Sequence, residues 1–393
     1  MNHPDAQILV VDDVPENRDL LIRRLKRLEL TRVDQAENGV EALAALKAKS
    51  YDLVLLDIMM PELDGFGVLT ALKEQGRVND MPVIVISAMS EIDAVVRCIE
   101  LGAEDFLFKP FNPTLLRARV LASLEKKTLR DRTREELRRK QMELNEARTL
   151  QLALAPPSFA GALGGAPLAI DVVLEPAKEV GGDLVDHFRV GSHLLVMLLG
   201  DVSDKGAGAA LMMARTHSIF RSLAARPDAG TLFADPARAM DIANAALSVG
   251  NSGCMFVTML LGTLDLATRE LRYVRAGHVP PFHRNGTGAV ARLGAAGGPP
   301  LGLFEDIAYS QAAVVLGPDD QLLIVTDGFT EAHDADGALY GEARIEAFMS
   351  ALRGRAGEPL KTLIRQVRDF EAGRPAFDDM AAILLSLGAA HGP

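Results

Sequence analysis

The 393-residue chain has little cysteine, no long apolar run and no surplus of positive charge. Its two cysteines, Cys98 and Cys254, lie far apart in apolar contexts, which excludes a disulfide framework or a thiol-rich metal site and leaves both as expected small core residues. No stretch approaches the ~18 apolar residues of a membrane span, so no membrane partner is expected. The opening MNHPDAQILVVDD has no basic segment ahead of its short apolar run, so no secretory signal is read there and the expected compartment is the cytoplasm. Lys and Arg number 42 against 53 Asp and Glu. The net charge of −11 opposes general nucleic-acid binding and suits clustered carboxylates that attract divalent cations. What is present is the balance of a globular chain, long enough for two or three domains at ~150 residues each.

Residues 1–122 alternate near-continuous apolar runs (QILVV, DLVLLD, PVIVIS, DFLFKP) with amphipathic segments at 18–28, 39–49, 66–75, 92–101 and from Pro113 onward. Strands that are apolar on both faces belong to a parallel sheet covered by helices, so this is an α/β doubly wound (βα)5 domain, with ligands expected beyond the carboxyl ends of its strands. Residues 123–157 read as a helical linker. Eight basic and three acidic residues fall between Lys126 and Lys140 with no Gly or Pro, and Pro156-Pro157 closes the helix. Leu137, Leu144, Ala147 and Leu154 form a partial heptad seam that Lys140 and Gln151 interrupt. A solvated connecting helix and a coiled coil pairing two copies both fit. A nucleic-acid grip fits less well, because the basic stretch lacks interleaved aromatics. Residues 158–388 carry hairpin patterns (DHFRV-GS-HLLVMLL, FVTMLLGTLDL-ATRE-LRYVRAG) with grouped helical stretches between them. They predict an α+β sandwich, sheets packed between helices.

Acids recur at the ends of the apolar runs. Asp12 and Asp13 follow the first strand and Asp57 the third. Three carboxylates at one sheet edge repel unless a cation joins them, and oxygen-only ligands favour Mg²⁺. Ser87 ends the fourth run and Lys109 the fifth, a hydroxyl and an ammonium suited to phosphate oxygens. An Asp carboxylate can itself attack phosphorus, so the cluster reads as a phospho-aspartate site. VVDD, LLDIMMPELDGF, VISA and FLFKPF resemble the receiver domain of bacterial two-component response regulators. The resemblance implies that Asp57 accepts phosphate from a cognate histidine kinase and that Asp12 and Asp13 hold Mg²⁺ with a backbone carbonyl from Met59. It also implies that Ser87 and Lys109 bind the phosphoryl group, that Phe106 is a switch aromatic, and that Lys109-Pro110 is a cis bond.

A second set of acids lies downstream: Asp183 in KEVGGDLVD, Asp201 in VMLLGDVSDKG, Asp327 in LLIVTDGFTEA, and Asp378 with Asp379 in AFDDMAAILLSL. A carboxylate at the end of a buried strand must be solvated, paired or metal-bound. Four such acids can hold two divalent ions ~3.5–4 Å apart, which activate water and clamp a phosphoryl oxygen. GGD, GDVSDKGAGAALMM, FVTMLLGTLDL, LRYVRAGHVPP, PLGL, LLIVTDGFTEA and DDM resemble the metal-dependent (type 2C, PPM) Ser/Thr protein phosphatases, in their SpoIIE-like bacterial branch. By that resemblance Asp201 bridges two Mg²⁺ or Mn²⁺ ions, Val202 offers its carbonyl, Asp327 and Asp378 bind the second ion and Asp183 serves the first through water. Lys178 stands where relatives carry Arg and is a candidate for binding substrate phosphate. Asp204 replaces the branch's Gly, Val279 a polar residue, and Ala381 a Thr; His278 reads as structural.

The whole then reads as a response regulator whose phosphorylation at Asp57 controls a C-terminal two-metal phosphatase. The expected partners are a histidine kinase, a phosphorylated protein substrate such as an anti-sigma-factor antagonist, and a second copy forming a homodimer through linker or receiver, with no direct DNA binding. The alternative is a catalytically weak adaptor that binds a partner under receiver control; metal titration separates the two.

Overall fold

The computed structural model describes residues 3–78, 80–88, 92–163, 166–251, 253–295, 297–352, 358–374 and 376–388. The chain forms two compact units, 1–140 and 141–393. Among the described residues no helix is long and apolar enough to cross a membrane.

The first unit runs β1 (Gln7–Val11), α1 (Pro15–Lys26), β2 (Arg32–Ala36), α2 (Gly39–Ala48), β3 (Leu53–Leu56), α3 (Gly65–Glu74), β4 (Val83–Ser87), α4 (Ile92–Glu100), β5 (Asp105–Phe108) and α5 (Pro113–Leu152). The sheet is parallel throughout, in the order β2-β1-β3-β4-β5. Strand side chains alternate between two cores, which is why the runs are apolar at every position. Leu9, Val11, Val54, Leu56, Val83 and Val85 fall in one, with Leu46 and Leu69 of α2 and α3. Ile8, Val10, Leu53, Leu55, Ile84 and Ile86 fall in the other, with Leu21 of α1 and Leu116, Val120 and Leu124 of α5. Each large side chain so buried contributes ~1.5–3 kcal/mol. Helix starts are set locally: Asn38 Oδ1 accepts from the Glu41 N–H at 2.9 Å and Asp64 Oδ1 from the Gly67 N–H at 2.7 Å. The strand order reverses between β1 and β3, so the crevice beyond their carboxyl ends receives Asp12, Asp13 and Asp57.

Helix α5 continues without a break for 40 residues, about 60 Å at 1.5 Å per residue. Beyond Leu124 its apolar side chains Leu129, Leu137, Met142, Leu144 and Leu150 are exposed.

The second unit adds β6 (Phe159–Leu163), β7 (Ala166–Glu175), β8 (Leu184–Val190), β9 (Leu194–Val202), α6 (Ala207–Ala224), α7 (Ala229–Phe233), α8 (Pro236–Ser248), β10 (Val257–Asp265) and β11 (Glu270–Ala276). It ends with β12 (Phe282–Arg284), β13 (Val290–Arg292), β14 (Ala312–Val315), β15 (Gln321–Val325), α9 (Asp327–Thr330), α10 (Gly341–Ala351), α11 (Pro359–Phe370) and β16 (Met380–Leu387). Two antiparallel sheets result, β14-β11-β10-β9-β8 and β13-β12-β15-β16-β7-β6. The period of two shows plainly in β9. Leu195, Met197 and Leu199 meet Ile324, Ile383 and Leu385 between the sheets, while Leu194, Val196 and Leu198 face Phe220, Met240 and Leu247 of the helices outside. Leu323, Val325, Ala382 and Leu384 pack in turn against α10 and α11. The unit is therefore a helix, sheet, sheet, helix sandwich.

Cys98 is buried as expected, but Cys254 is not a core thiol. It closes a turn in which its N–H donates to the Asn251 carbonyl at 3.2 Å, with φ 53, and the turn turns it to solvent.

Candidate functional site

The first centre lies where β1, β3 and β5 end. Oxygens of Asp12, Asp13 and Asp57 all lie within 4.8 Å of one another. Asp12 Oδ1 accepts from the Val14 N–H and from Asn17 Nδ2, both at 3.0 Å, which fixes the orientation of its carboxylate. Lys109 Nζ sits 2.7 Å from both Asp12 Oδ2 and Asp57 Oδ2. Asp57 Oδ1 accepts from the Ile58 N–H at 2.7 Å and more weakly from that of Met59 at 3.4 Å. Burial pushes the Asp57 carboxyl above its ordinary range, opposed by Lys109 and helped by the Asp12 charge. Burial also works against the Lys109 ammonium, but its bonds to Asp12 and Asp57 prevail and raise its pKa. Ser87 is fully buried at the end of β4, and its carbonyl accepts from the Lys109 N–H at 2.8 Å. Phe106 is half-buried and packs edge-on to Phe108, ring centres 4.9 Å apart. Met59 is exposed, and the Lys109-Pro110 bond is cis.

The second centre draws on four ends. Asp183 precedes β8, Asp201 is one residue from the end of β9, Asp327 opens α9 after β15, and Asp378 precedes β16. Asp183 is almost fully buried and its Oδ2 accepts from Thr326 Oγ1 at 2.9 Å. Burial first, then the charges of Asp201, Asp379 and Asp327, hold the Asp183 carboxyl well above its usual range. Asp201 is pushed up to about 7 by burial and by Asp327, Asp378 and Asp379, and Asp327 to about 6 by burial, Glu331 and Asp378. Asp183, Asp201 and Asp327 are thus crowded by neighbouring carboxylates, which opposes their ionisation. A divalent cation among them removes that opposition, so the donor set fits hard oxygen-seeking ions. Among the described residues the first trio meets the 4.8 Å spacing, and no three acids of the second group do.

The backbone is shaped for this approach. A Cβ on Gly328 would lie 1.8 Å from the Asp379 carbonyl oxygen, so only glycine lets β16 begin beside α9. Val202 is buried at the end of β9, pairing with Val257. Lys178 is exposed beside Ala177, whose N–H donates to Asp379 Oδ1 at 2.7 Å.

Of the residues that hold the site together, Asp379 stands beside Asp378 in AFDDM, while Thr326 and Lys205 carry no sequence signal of their own. Asp379, next to Asp378, is a brace: its second oxygen accepts from the Gly182 N–H at 2.7 Å. Thr326 holds Asp183 and also exchanges bonds with the Ala381 backbone, which ties the start of α9 to β16. Lys205 Nζ sits 3.0 Å from Asp378 Oδ2 and 5.1 Å from the Phe377 ring centre. His278 is buried with Nδ1 3.2 Å from Thr258 Oγ1, and burial lowers its pKa to about 3, which leaves it neutral.

Asp204 has φ 84, a left-handed conformation that costs a residue with a Cβ about 1–2 kcal/mol. Glycine there would recover this less the ~0.5–1 kcal/mol of extra unfolded-state freedom. Asp204→Gly is expected to stabilise the chain by roughly 0.5–1 kcal/mol, seen as a higher urea midpoint. A lower midpoint would mean that the Asp204 side chain, bonded to the Lys205 N–H at 2.8 Å, contributes more than the strain removes.

Residues 191–388 match the family model of stage II sporulation protein E, SpoIIE, and residues 8–121 match the response regulator receiver domain. The chain is a SpoIIE-family protein with an N-terminal receiver domain. The solved PP2C domain of SiaA from Pseudomonas aeruginosa shares the fold of the SpoIIE-family unit. The two agree with a TM-score of 0.53 at 18% identity over 64% of this chain and 98% of that one. Protein IcfG of Synechocystis is 28% identical over 235 residues, 54% of this chain and 37% of IcfG. Response regulator PleD of Caulobacter vibrioides is 36% identical over 183 residues, 46% of this chain and 38% of PleD. The chain thus spans well under half the length of these two relatives.

Proposed function

We propose that this SpoIIE-family protein is a response regulator whose Asp57, phosphorylated by a histidine kinase, controls a metal-dependent phosphoserine and phosphothreonine phosphatase in its second unit. The observation that carries the reading is the pairing, in one chain, of two carboxylate centres that each need cations. In the first, Asp12, Asp13 and the Met59 carbonyl would hold Mg²⁺ beside Asp57, with Ser87 and Lys109 binding the phosphoryl oxygens. In the second, Asp183, Asp201, the Val202 carbonyl, Asp327 and Asp378 would hold two Mg²⁺ or Mn²⁺. Ions of this kind activate water and neutralise charge on the phosphoryl group. Thr326 and Asp379 keep Asp183 and its loop in place, and Lys178 offers a point charge for the substrate phosphate at the rim.

The domain division that follows is 1–122 receiver, 123–157 linker and 158–388 phosphatase. The exposed apolar residues of α5 are proposed as a seam with a second copy, Phe106 as the reporter of phosphorylation, and the cytoplasm as the compartment. A phosphorylated anti-sigma-factor antagonist is the proposed substrate class. The test is phosphate release from a phosphoserine peptide by the full chain. Turnover is expected to require Mn²⁺ or Mg²⁺ and to change several-fold with a small acyl-phosphate donor, a response that Asp57→Asn removes. Turnover that is indifferent to the donor, or that survives chelation, contradicts the reading.

A further inference from the structure

Most side chains of α5 between residues 125 and 150 are exposed, yet Gln151, which interrupts the heptad seam, is only 5% exposed. Its amide takes both backbone groups of Gly181: Nε2 donates to the Gly181 carbonyl at 2.7 Å, and the Gly181 N–H donates to Oε1 at 3.0 Å. Of the side chains of this length only an amide presents a donor and an acceptor side by side. One helical turn earlier, Arg148 Nη1 donates to the Lys178 carbonyl at 3.0 Å, so the last turn of α5 grips the loop at both ends. On its other side the loop is pressed against the second centre. A Cβ on Gly181 would lie 2.2 Å from Asp379 Oδ2, Gly182 donates to that same oxygen, and Asp183 follows.

We propose that Gln151 is a positioning residue that sets the loop bearing Asp183 through Gly181, so that displacing the end of α5 loosens the second acidic centre. A shift of the helix by one residue moves a side chain 1.5 Å along the axis and about 100° around it, which breaks both bonds together. Through these two bonds a movement of the end of α5 reaches the loop that carries Asp183. Its consequence for turnover rests on the phosphatase reading; the coupling itself does not.

The test uses the full chain carrying Gln151→Leu, which keeps the buried volume and removes both bonds, and Gln151→Asn, which keeps the amide but falls one methylene short. Amide hydrogen exchange is followed without metal or substrate, and Mn²⁺ binding by calorimetry. Exchange at Gly181, Gly182 and Asp183 is expected to speed up about tenfold in both variants while β9 and β16 stay as in the parent. Mn²⁺ affinity of the second unit is expected to fall by about tenfold or more. Exchange and affinity equal to the parent's overturn the inference, as does an acceleration spread evenly over the second unit, which marks a structural role alone. Failure of the parent to release phosphate would count against the proposed function and leave these two readouts intact, so the two failures are distinguishable.

Discussion

Phosphate release by the Asp201→Asn protein is expected to be lower than that of the parent by at least about 10³-fold at saturating Mn²⁺, some 4 kcal/mol of lost transition-state stabilisation. Asparagine keeps the shape of the side chain and one oxygen, so packing beside Thr258 and Val202 is retained; what goes is the negative charge assigned to both ions. The fold is expected to gain from the same change when no metal is added. Asp201 is repelled by Asp327, Asp378 and Asp379, and removing its charge relieves that repulsion. Lower turnover together with a higher metal-free unfolding temperature is a signature that a simple folding defect cannot produce. Turnover within tenfold of the parent would remove Asp201 from the chemistry.

The second large effect is a dependence of metal-free stability on pH that runs opposite to the usual behaviour of paired carboxylates. Asp327 is held at about 6 and Asp201 at about 7, against an ordinary 3.8. Between these values the folded chain retains protons that the unfolded chain has released, so stability is full below about pH 4 and is lost as pH rises to about 7. A raised pKa of two to three units corresponds to about 3–4 kcal/mol for one such group. In chelator, the urea midpoint is therefore expected to fall from pH 5 to pH 7.5, and Asp201→Asn to flatten part of that slope. Saturating Mn²⁺ is expected to abolish the fall, because the bound cation favours the ionised carboxylates. A midpoint that rises with pH in chelator would contradict the crowding of these acids.

Much of this was legible in the sequence because an acid directly after a run of Val, Ile and Leu conflicts with its surroundings. LVVDD, LVLLD, LLGD and LIVTD each announce a strand and then break its rule, and the structure brings the acids that follow to two places. The period of two also predicted the paired strands β8 with β9 and β10 with β11. What escaped notice is what depends on orientation. In the doublet Asp378-Asp379 consecutive side chains point apart, and the sequence does not say which one turns to the backbone of Ala177 and Gly182. Thr326 and Lys205 act through contacts more than fifty residues away, and Gln151 read as a flaw in a heptad because its partner, Gly181, has no side chain to signal. Short elements such as β12, β13 and α9 are too brief to carry a period. The exposure of Cys254 follows from a turn that its apolar neighbours hide.

The most direct measurement is anomalous X-ray scattering at the manganese edge from crystals of the full chain grown with Mn²⁺. Three peaks are expected, one among Asp12, Asp13 and Asp57 and two among Asp183, Asp201, Asp327 and Asp378. A map with no peak in the second group, while the first is filled, would contradict the two-ion centre on which the phosphatase reading stands.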